Sequence, residues 1–352
     1  MTIGPVLDRH RVVVCVGTGG VGKTTIAAAI ALRAAQRGRR AMVLTIDPAR
    51  ALARSFGLAG LAPGGERVAL EALGGDGCAP GGWLEAGMLD QREAWDAFIR
   101  RHAPDPGVAD RILANPFYRE LSTSFAGSTE YMAIEELCRL AETGRHDLIV
   151  LDTPPARHAL DFLTAPTRID PLLDRGLVGA VTRPAGALAR FVVRRLERAA
   201  GRGAVRDVVA FFVAVEALVE TAAARARGAR ALLDNETTAL VLVAGPRQLV
   251  LDQTVALAAR LPRLGAVVIN RAHRAPALDL PAVERALAPL PPSAAAWLRA
   301  AYVDAAGEAA REAEHVTRFR ATLPAGLAIA EIPEAEHDVH ALADLALIAE
   351  WL

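Results

Sequence analysis

Val12 to Val16 is a run of valines interrupted only by Cys15, and it leads directly into Gly17-Thr18-Gly19-Gly20-Val21-Gly22-Lys23-Thr24-Thr25. A continuous apolar, β-branched run of this length suits a strand buried on both faces of a parallel sheet. Thr24 to Arg37 then has the alanine-rich composition of a helix, with Gly38 as its stop, and Ala41 to Ile46 is a second buried strand. Strand, glycine turn, helix and strand in that order form a right-handed βαβ unit. Further strand candidates are Leu148 to Leu151, Ala239 to Ala244, Gly265 to Ile269 and Leu327 to Ile332, with a weaker one at Arg67 to Leu70.

The glycine turn satisfies two spacings at once. Gly17, Gly19 and Gly22 fit the GxGxxG of a dinucleotide fold, and the same stretch fits G-x4-GK-[ST]. The residues after the last glycine decide between them. A pyrophosphate held by helix-terminal amides needs neither a cation nor a hydroxyl there. A triphosphate needs both: Lys23 to neutralise β- and γ-phosphate charge, and Thr24 to ligate Mg²⁺. Gly19, Gly20, Val21, Gly22, Lys23, Thr24 and Thr25 are thus the expected phosphate cradle, with backbone N–H groups converging on the anion. The expected fold is α/β: a P-loop, doubly wound, mainly parallel sheet flanked by helices, with an inserted helical subdomain.

Forty Lys and Arg balance forty Asp and Glu in 352 residues, which disfavours nucleic acid as a partner because counterion release needs clustered basic charge. A 52% hydrophobic content with 23% charged residues excludes a disordered chain. No apolar run approaches the roughly 18 residues needed to span a bilayer, and Met1 to Arg11 lacks a signal-peptide profile, so direct membrane insertion is not expected and a cytosolic protein is. Cys15, Cys78 and Cys138 form no CxxC pair, so no disulfide framework or zinc site is expected.

The expected organisation places nucleotide-binding segments at 1–82, 146–168 and 236–352. A helical insertion at 83–145 and a helical subdomain at 169–235 lie between them, and neither carries strand character. Val205 to Val219 is apolar around most of a helix and must be covered, either by its own subdomain or by a partner. The C-terminal Asp338 to Leu352 places Leu342, Leu345, Ile348 and Trp351 on one helical face, expected to dock on the sheet.

Two aspartates stand at strand exits. Asp152 ends an apolar strand, the layout that supports hydrated Mg²⁺ opposite Thr24. Asp47 follows the second strand and either orients an attacking water or caps the helix that begins near Pro48.

With these motifs in place, the chain resembles a known group. GGVGKTT is similar to the deviant Walker A loop of the nitrogenase iron protein, the partition and division-site ATPases, and the arsenite-efflux and tail-anchored-protein-targeting ATPases. Those proteins carry a signature lysine after the first glycine that reaches across a dimer; this chain has Thr18 there. Thr45-Ile46-Asp47-Pro48-Ala49-Arg50 resembles the switch I of the last two groups, with Arg50 replacing histidine. Asp152-Thr153-Pro154-Pro155-Ala156-Arg157-His158 resembles their switch II, in which His158 either senses the γ-phosphate or caps a helix. Asn270 matches the amide residue that reads adenine, and His273 stands where a guanine-reading protein has aspartate. Pro333 matches the apolar wall against the base, or else makes a turn. Glu130 falls near the group's PGxDE segment.

The resemblance implies an ATPase with ATP and Mg²⁺ as ligands. It also implies a homodimer, or a heterodimer with a related ATPase, and a possible hydrophobic protein client. Alternatives are an energy-coupling subunit for anion or arsenite export and a weakly active regulatory subunit.

Overall fold

The computed structural model describes residues 2–46, 51–62, 64–73, 78–116, 118–119, 128–154, 210–211, 213–214, 218–261 and 263–352. Among the described residues, eight strands form one sheet: β1 (Val12–Gly17), β2 (Arg40–Thr45), β3 (Glu66–Arg67), β4 (Trp83–Met88), β5 (Leu148–Asp152), β6 (Thr238–Ala244), β7 (Leu264–Ala272) and β8 (Ala328–Pro333). Their spatial order is β3-β4-β2-β5-β1-β6-β7-β8. Every pairing is parallel except β3 with β4, so the expected doubly wound, mainly parallel sheet is present. The chain winds outward in both directions from β1, which puts the ligand crevice of such a sheet at the carboxyl ends of β1 and its neighbours.

Alternation along β1 divides the core into two layers. Val13 and Cys15 join the layer containing Ile26, Ile30 and Leu345. Val12, Val14 and Val16 join Leu137, Leu251, Val316 and Phe319 on the other face. On the first face lie α1 (Gly4–Arg9), α2 (Lys23–Gln36) and α3 (Ala51–Ser55). Helix α2 is buried from Ile26 to Leu32 without a break. Its alanines let it sit close between the sheet and a second helix, which a longer side chain at those positions would prevent.

Between β4 and β5 run α4 (Gln91–His102), α5 (Pro106–Ala114) and α6 (Ser128–Glu142). Asp90 and Asp105 cap α4 and α5 by accepting from the Glu93 and Val108 N–H groups at 2.8 and 2.9 Å. Pro106 is a first-turn proline of α5. Helix α7 (Val219–Leu233) packs on α6, where the Arg225 Nε donates to both oxygens of buried Glu135 at 3.0 Å. Trp95, Phe98, Tyr118 and Tyr131 make an aromatic cluster with Phe211 and Leu218. Most of the apolar 205–219 stretch lies outside the described residues, but Phe211 and Leu218 are buried in this cluster.

Helices α8 (Gln248–Ala258), α9 (Leu280–Leu287), α10 (Pro292–Thr322) and α11 (Leu342–Ala349) follow among the described residues. The buried residues of the 31-residue α10 are Ala309, Glu312, Val316 and Phe319, all in its C-terminal half. Its N-terminal half is flanked by α9 and leaves Trp297 70% exposed.

Three expectations need correction. Residues 83–88, read as lacking strand character, form β4 beside β2. Glu85 in its centre masks the pattern, yet it is buried and accepts from Arg145 and from His146 Nε2, the latter at 3.0 Å. The strand proposed at 67–70 shrinks to the two-residue β3, and residues 70–73 turn as a 3₁₀ helix. Finally, α11 packs chiefly on α2 within the apolar layer that covers the sheet, and one residue of its expected face stays outside. Leu342, Leu345 and Ile348 are buried there, but Trp351 is 42% exposed with the Arg274 guanidinium 4.1 Å from its ring.

Among the described residues, no helix is long and apolar enough to cross a membrane.

Candidate functional site

The phosphate loop is shaped by what surrounds it. At Gly17 a Cβ would stand 2.2 Å from the Val243 carbonyl oxygen of β6, so only glycine lets the two strands approach. Gly20 and Gly22 have φ of 78° and 83°, left-handed values that turn the backbone N–H groups toward one side. Gly22 is also the N-cap of α2, which brings the positive end of that helix to the same place.

Lys23 is buried, and its Nζ donates to the Thr18 carbonyl at 2.9 Å. The Thr24 hydroxyl donates to Asp152 Oδ2 at 2.7 Å. The same oxygen accepts from the Thr45 hydroxyl at 2.9 Å, so the first residue of the Thr45-Ile46-Asp47 motif also reaches the site. Parallel register explains the convergence, because Cys15 and Thr45 both lie level with Asp152 across β5. Thr153 adds a tie of its own, its hydroxyl donating to the Cys15 carbonyl at 2.7 Å.

Asp152 is 1% exposed. A hydroxyl and a carboxylate side by side, both hard oxygen donors, match the ligand preference of Mg²⁺. Burial pushes the Cys15 thiol well above its ordinary range, and the Asp152 charge adds to the shift while Lys23 opposes it. Cys15 therefore packs as a neutral side chain.

Asn270, near the exit of β7, is buried, and its Nδ2 donates to the Val21 carbonyl at 2.9 Å. A Cβ on Gly22 would come within 2.4 Å of that nitrogen, so the third motif glycine also makes room for the amide. Beside it opens a cleft of 440 Å³ lined by Thr25, Arg54, Asn270, Arg271, Pro333 and Glu334. Thr25, Asn270 and Pro333, assigned separately from sequence, thus meet on one cavity.

His273 turns to other partners: its Nδ1 lies 3.0 Å from Glu312 Oε2 and its Nε2 lies 2.9 Å from Glu334 Oε2. Glu130 stands in the first turn of α6, where an acid complements the helix dipole. Asp47, Pro48, Arg50, Pro155 and His158 lie outside the described residues. No group of three His, Cys, Asp or Glu side chains placed to hold a metal occurs among the described residues.

Comparison with known proteins gives a consistent result. The sequence profile of the anion-transporting ATPase family matches residues 10–273. The chain is 31% identical over 276 residues to an uncharacterised protein of Streptomyces coelicolor, covering 74% of this chain and 62% of that one. It is 27% identical over 176 residues to the ATPase GET3 of Malassezia globosa, covering 49% of this chain and 48% of that one. It is 27% identical over 215 residues to a putative arsenical pump-driving ATPase of Prosthecochloris vibrioformis, covering 60% and 46%. The matched segments thus span roughly half to three fifths of these relatives.

Proposed function

The chain belongs to the anion-transporting ATPase family, and from that premise we propose that it is a Mg²⁺-dependent ATP hydrolase working as a dimeric conformational switch. Nucleotide state would be coupled to the helical subdomain, which receives a protein client or partner. The supporting observation is the convergence of Lys23, Thr24 and Asp152 at the carboxyl ends of β1 and β5, beside a loop with two left-handed glycines.

Each residue has a definable task. Lys23 exchanges the Thr18 carbonyl for phosphate oxygens, trading a neutral partner for a charged one. Thr24 and Asp152 are the residues that would hold Mg²⁺, which neutralises charge on the phosphate oxygens when bound. Asp47, just beyond the end of β2, is assigned to orient the attacking water, and Pro48, Arg50, Pro155 and His158 to the segments that respond to the γ-phosphate. Asn270 has its N–H₂ committed to Val21, so its Oδ1 is the atom offered to a base. An acceptor suits the exocyclic amine of adenine and repels the carbonyl of guanine.

Isothermal calorimetry of the purified chain with Mg²⁺ and a non-hydrolysable ATP analogue tests the reading. Heat for the adenine analogue, little for its guanine counterpart, and loss of both binding and turnover in Lys23→Ala are expected. Absence of heat with adenine nucleotides refutes it.

Thr18 favours one variant of this reading, a slow subunit whose related partner supplies the missing cation, because a hydroxyl cannot offset developing phosphate charge. Mixing with a lysine-bearing relative should then raise the ATPase rate. The similarity to an arsenical pump-driving ATPase motivates an export-coupling role, whose signature would be stimulation of turnover by arsenite. Against it, Cys15 and Cys138 are buried, and the Cys138 thiol is pushed up to about 12 by burial and then by Glu135. A cytosolic site of action is in keeping with the lack of a membrane-crossing helix among the described residues.

A further inference from the structure

His273 occupies a junction that the phosphate machinery does not explain. It follows the end of β7 by one residue, three positions after Asn270, and both of its ring nitrogens face carboxylates. Two ring nitrogens within 3.0 Å of carboxylate oxygens can bond to both only as donors, so the pair of contacts is complete with an imidazolium. Glu312 on α10 is buried and also accepts the His273 backbone N–H at 2.9 Å. Glu334 directly follows β8, lines the 440 Å³ cleft, and donates its own N–H to the Ala272 carbonyl at 3.1 Å. The strand exits that flank the cleft, Asn270 and Arg271 on one side and Pro333 and Glu334 on the other, are therefore strapped together through one ring. Arg271 adopts φ 61°, a left-handed value that arginine rarely takes, so its conformation depends on such external ties.

We propose that His273 is a positioning residue for the nucleobase, an imidazolium strap that sets the spacing of the two strand exits bounding the base cleft. The proposal rests on the reading of that cleft as the adenine site. A neutral imidazole has one N–H and can hold only one of the two carboxylates, so deprotonation releases one side of the strap.

The surrounding charges favour the bound proton. Glu312 raises the His273 pKa above its ordinary value, most strongly through its hydrogen bond, and Glu334 and Glu308 raise it further. Burial acts the other way. Glu308 is itself paired with Arg311 at 2.6 Å and feels Arg247. On its own segment Arg271 precedes it and Arg274 is turned onto Trp351, while His337 and His340 face the cleft from beyond β8. The strap is consequently whole at low pH and is lost as pH rises through the elevated His273 pKa.

The experiment compares Mg-ATP with Mg-ribose 5-triphosphate, which carries the same triphosphate ester and no base, so phosphate titration cancels in the affinity ratio. The ratio is measured by calorimetry across pH for the full chain and for His273→Gln, which carries no charge and keeps both of its N–H donors on one atom. His337 and His340 are present in both proteins. At low pH the wild-type ratio should exceed the variant ratio by about threefold to tenfold, the range for a partly exposed charge-assisted pair. The two should converge at high pH, with affinity for ribose 5-triphosphate unchanged throughout.

A difference that is the same at every pH, or no difference, overturns the proposal. If the variant does not fold, the wild-type titration decides alone, since a pH-independent ratio is incompatible with the strap. Failure of both ligands to bind wild-type protein would instead remove the ATP-site reading itself. Binding of ribose 5-triphosphate as tight as that of ATP at every pH would leave the phosphate loop intact and remove the base cleft.

Discussion

Replacing Gly17 by alanine should damage this protein far more than replacing Gly20, although both are glycines of one loop. The new Cβ of Gly17→Ala would lie 2.2 Å from the Val243 carbonyl oxygen and 3.4 Å from Lys23 Cδ. A carbon and a carbonyl oxygen settle at about 3.3 Å, so β1 and β6 must part by about 1 Å at that point. The ladder bond there would stretch past about 3.5 Å and cease to be one. Overpacking of that kind costs about 1–3 kcal/mol and a lost backbone bond about 1 kcal/mol more, giving about 2–4 kcal/mol. Gly20→Ala meets nothing within 4 Å and suffers only the strain of φ 78°. That strain costs about 1–2 kcal/mol, partly offset by the stiffer unfolded chain. Urea unfolding of the nucleotide-free proteins measures both, with midpoints compared at matched slopes. Equal midpoints, or a lower one for Gly20→Ala, would refute the claim that the β1–β6 approach fixes the loop.

Other consequences can be measured independently. Thr24→Val removes the hydroxyl that donates to Asp152 and should reduce ATP turnover by about a hundredfold while lowering stability by about 1 kcal/mol, read by steady-state kinetics and melting. Glu135→Ala leaves Arg225 without its buried partner and should cost about 3 kcal/mol in melting experiments, more than Glu142→Ala, whose side chain is 61% exposed. The Asp147 carboxyl is held down from 3.8 to about 2 by the Arg40 guanidinium beside it. A lowered carboxylate pKa stabilises above the unfolded value, so this contribution disappears as pH falls from about 4 to about 2. Solvent screening limits it to under about 1 kcal/mol, and Asp147→Asn should flatten that part of the acid limb.

The sheet was legible where strands are uniformly apolar. Val12 to Val16, Ala239 to Ala244 and Gly265 to Ile269 announce themselves because both faces are buried and every residue must be hydrophobic. β4 was hidden because Glu85 is made tolerable by Arg145 and His146, about sixty residues later, and no local pattern encodes that compensation. The Lys23, Thr24 and Asp152 site was legible because its chemistry dictates residue types at fixed spacings. The contributions of Thr45, Thr153 and Glu312 arise from strand register and long-range packing, where a threonine or glutamate looks like any other surface residue. Asn270 was legible as a base-facing amide, but its anchorage on Val21 belongs to the folded chain alone.

Helix α10 is a rod clamped at one end. About twenty residues separate Glu312 from Pro292, which at 1.5 Å per residue is about 30 Å of shaft that carries α9 alongside it. A pivot of about 5° where Glu312 meets His273 would sweep the far tip through about 3 Å, enough to shift Trp297 against whatever touches it. Geometry alone thus turns a small adjustment around a bound base into a sizeable excursion at a distant, indole-bearing corner of the molecule.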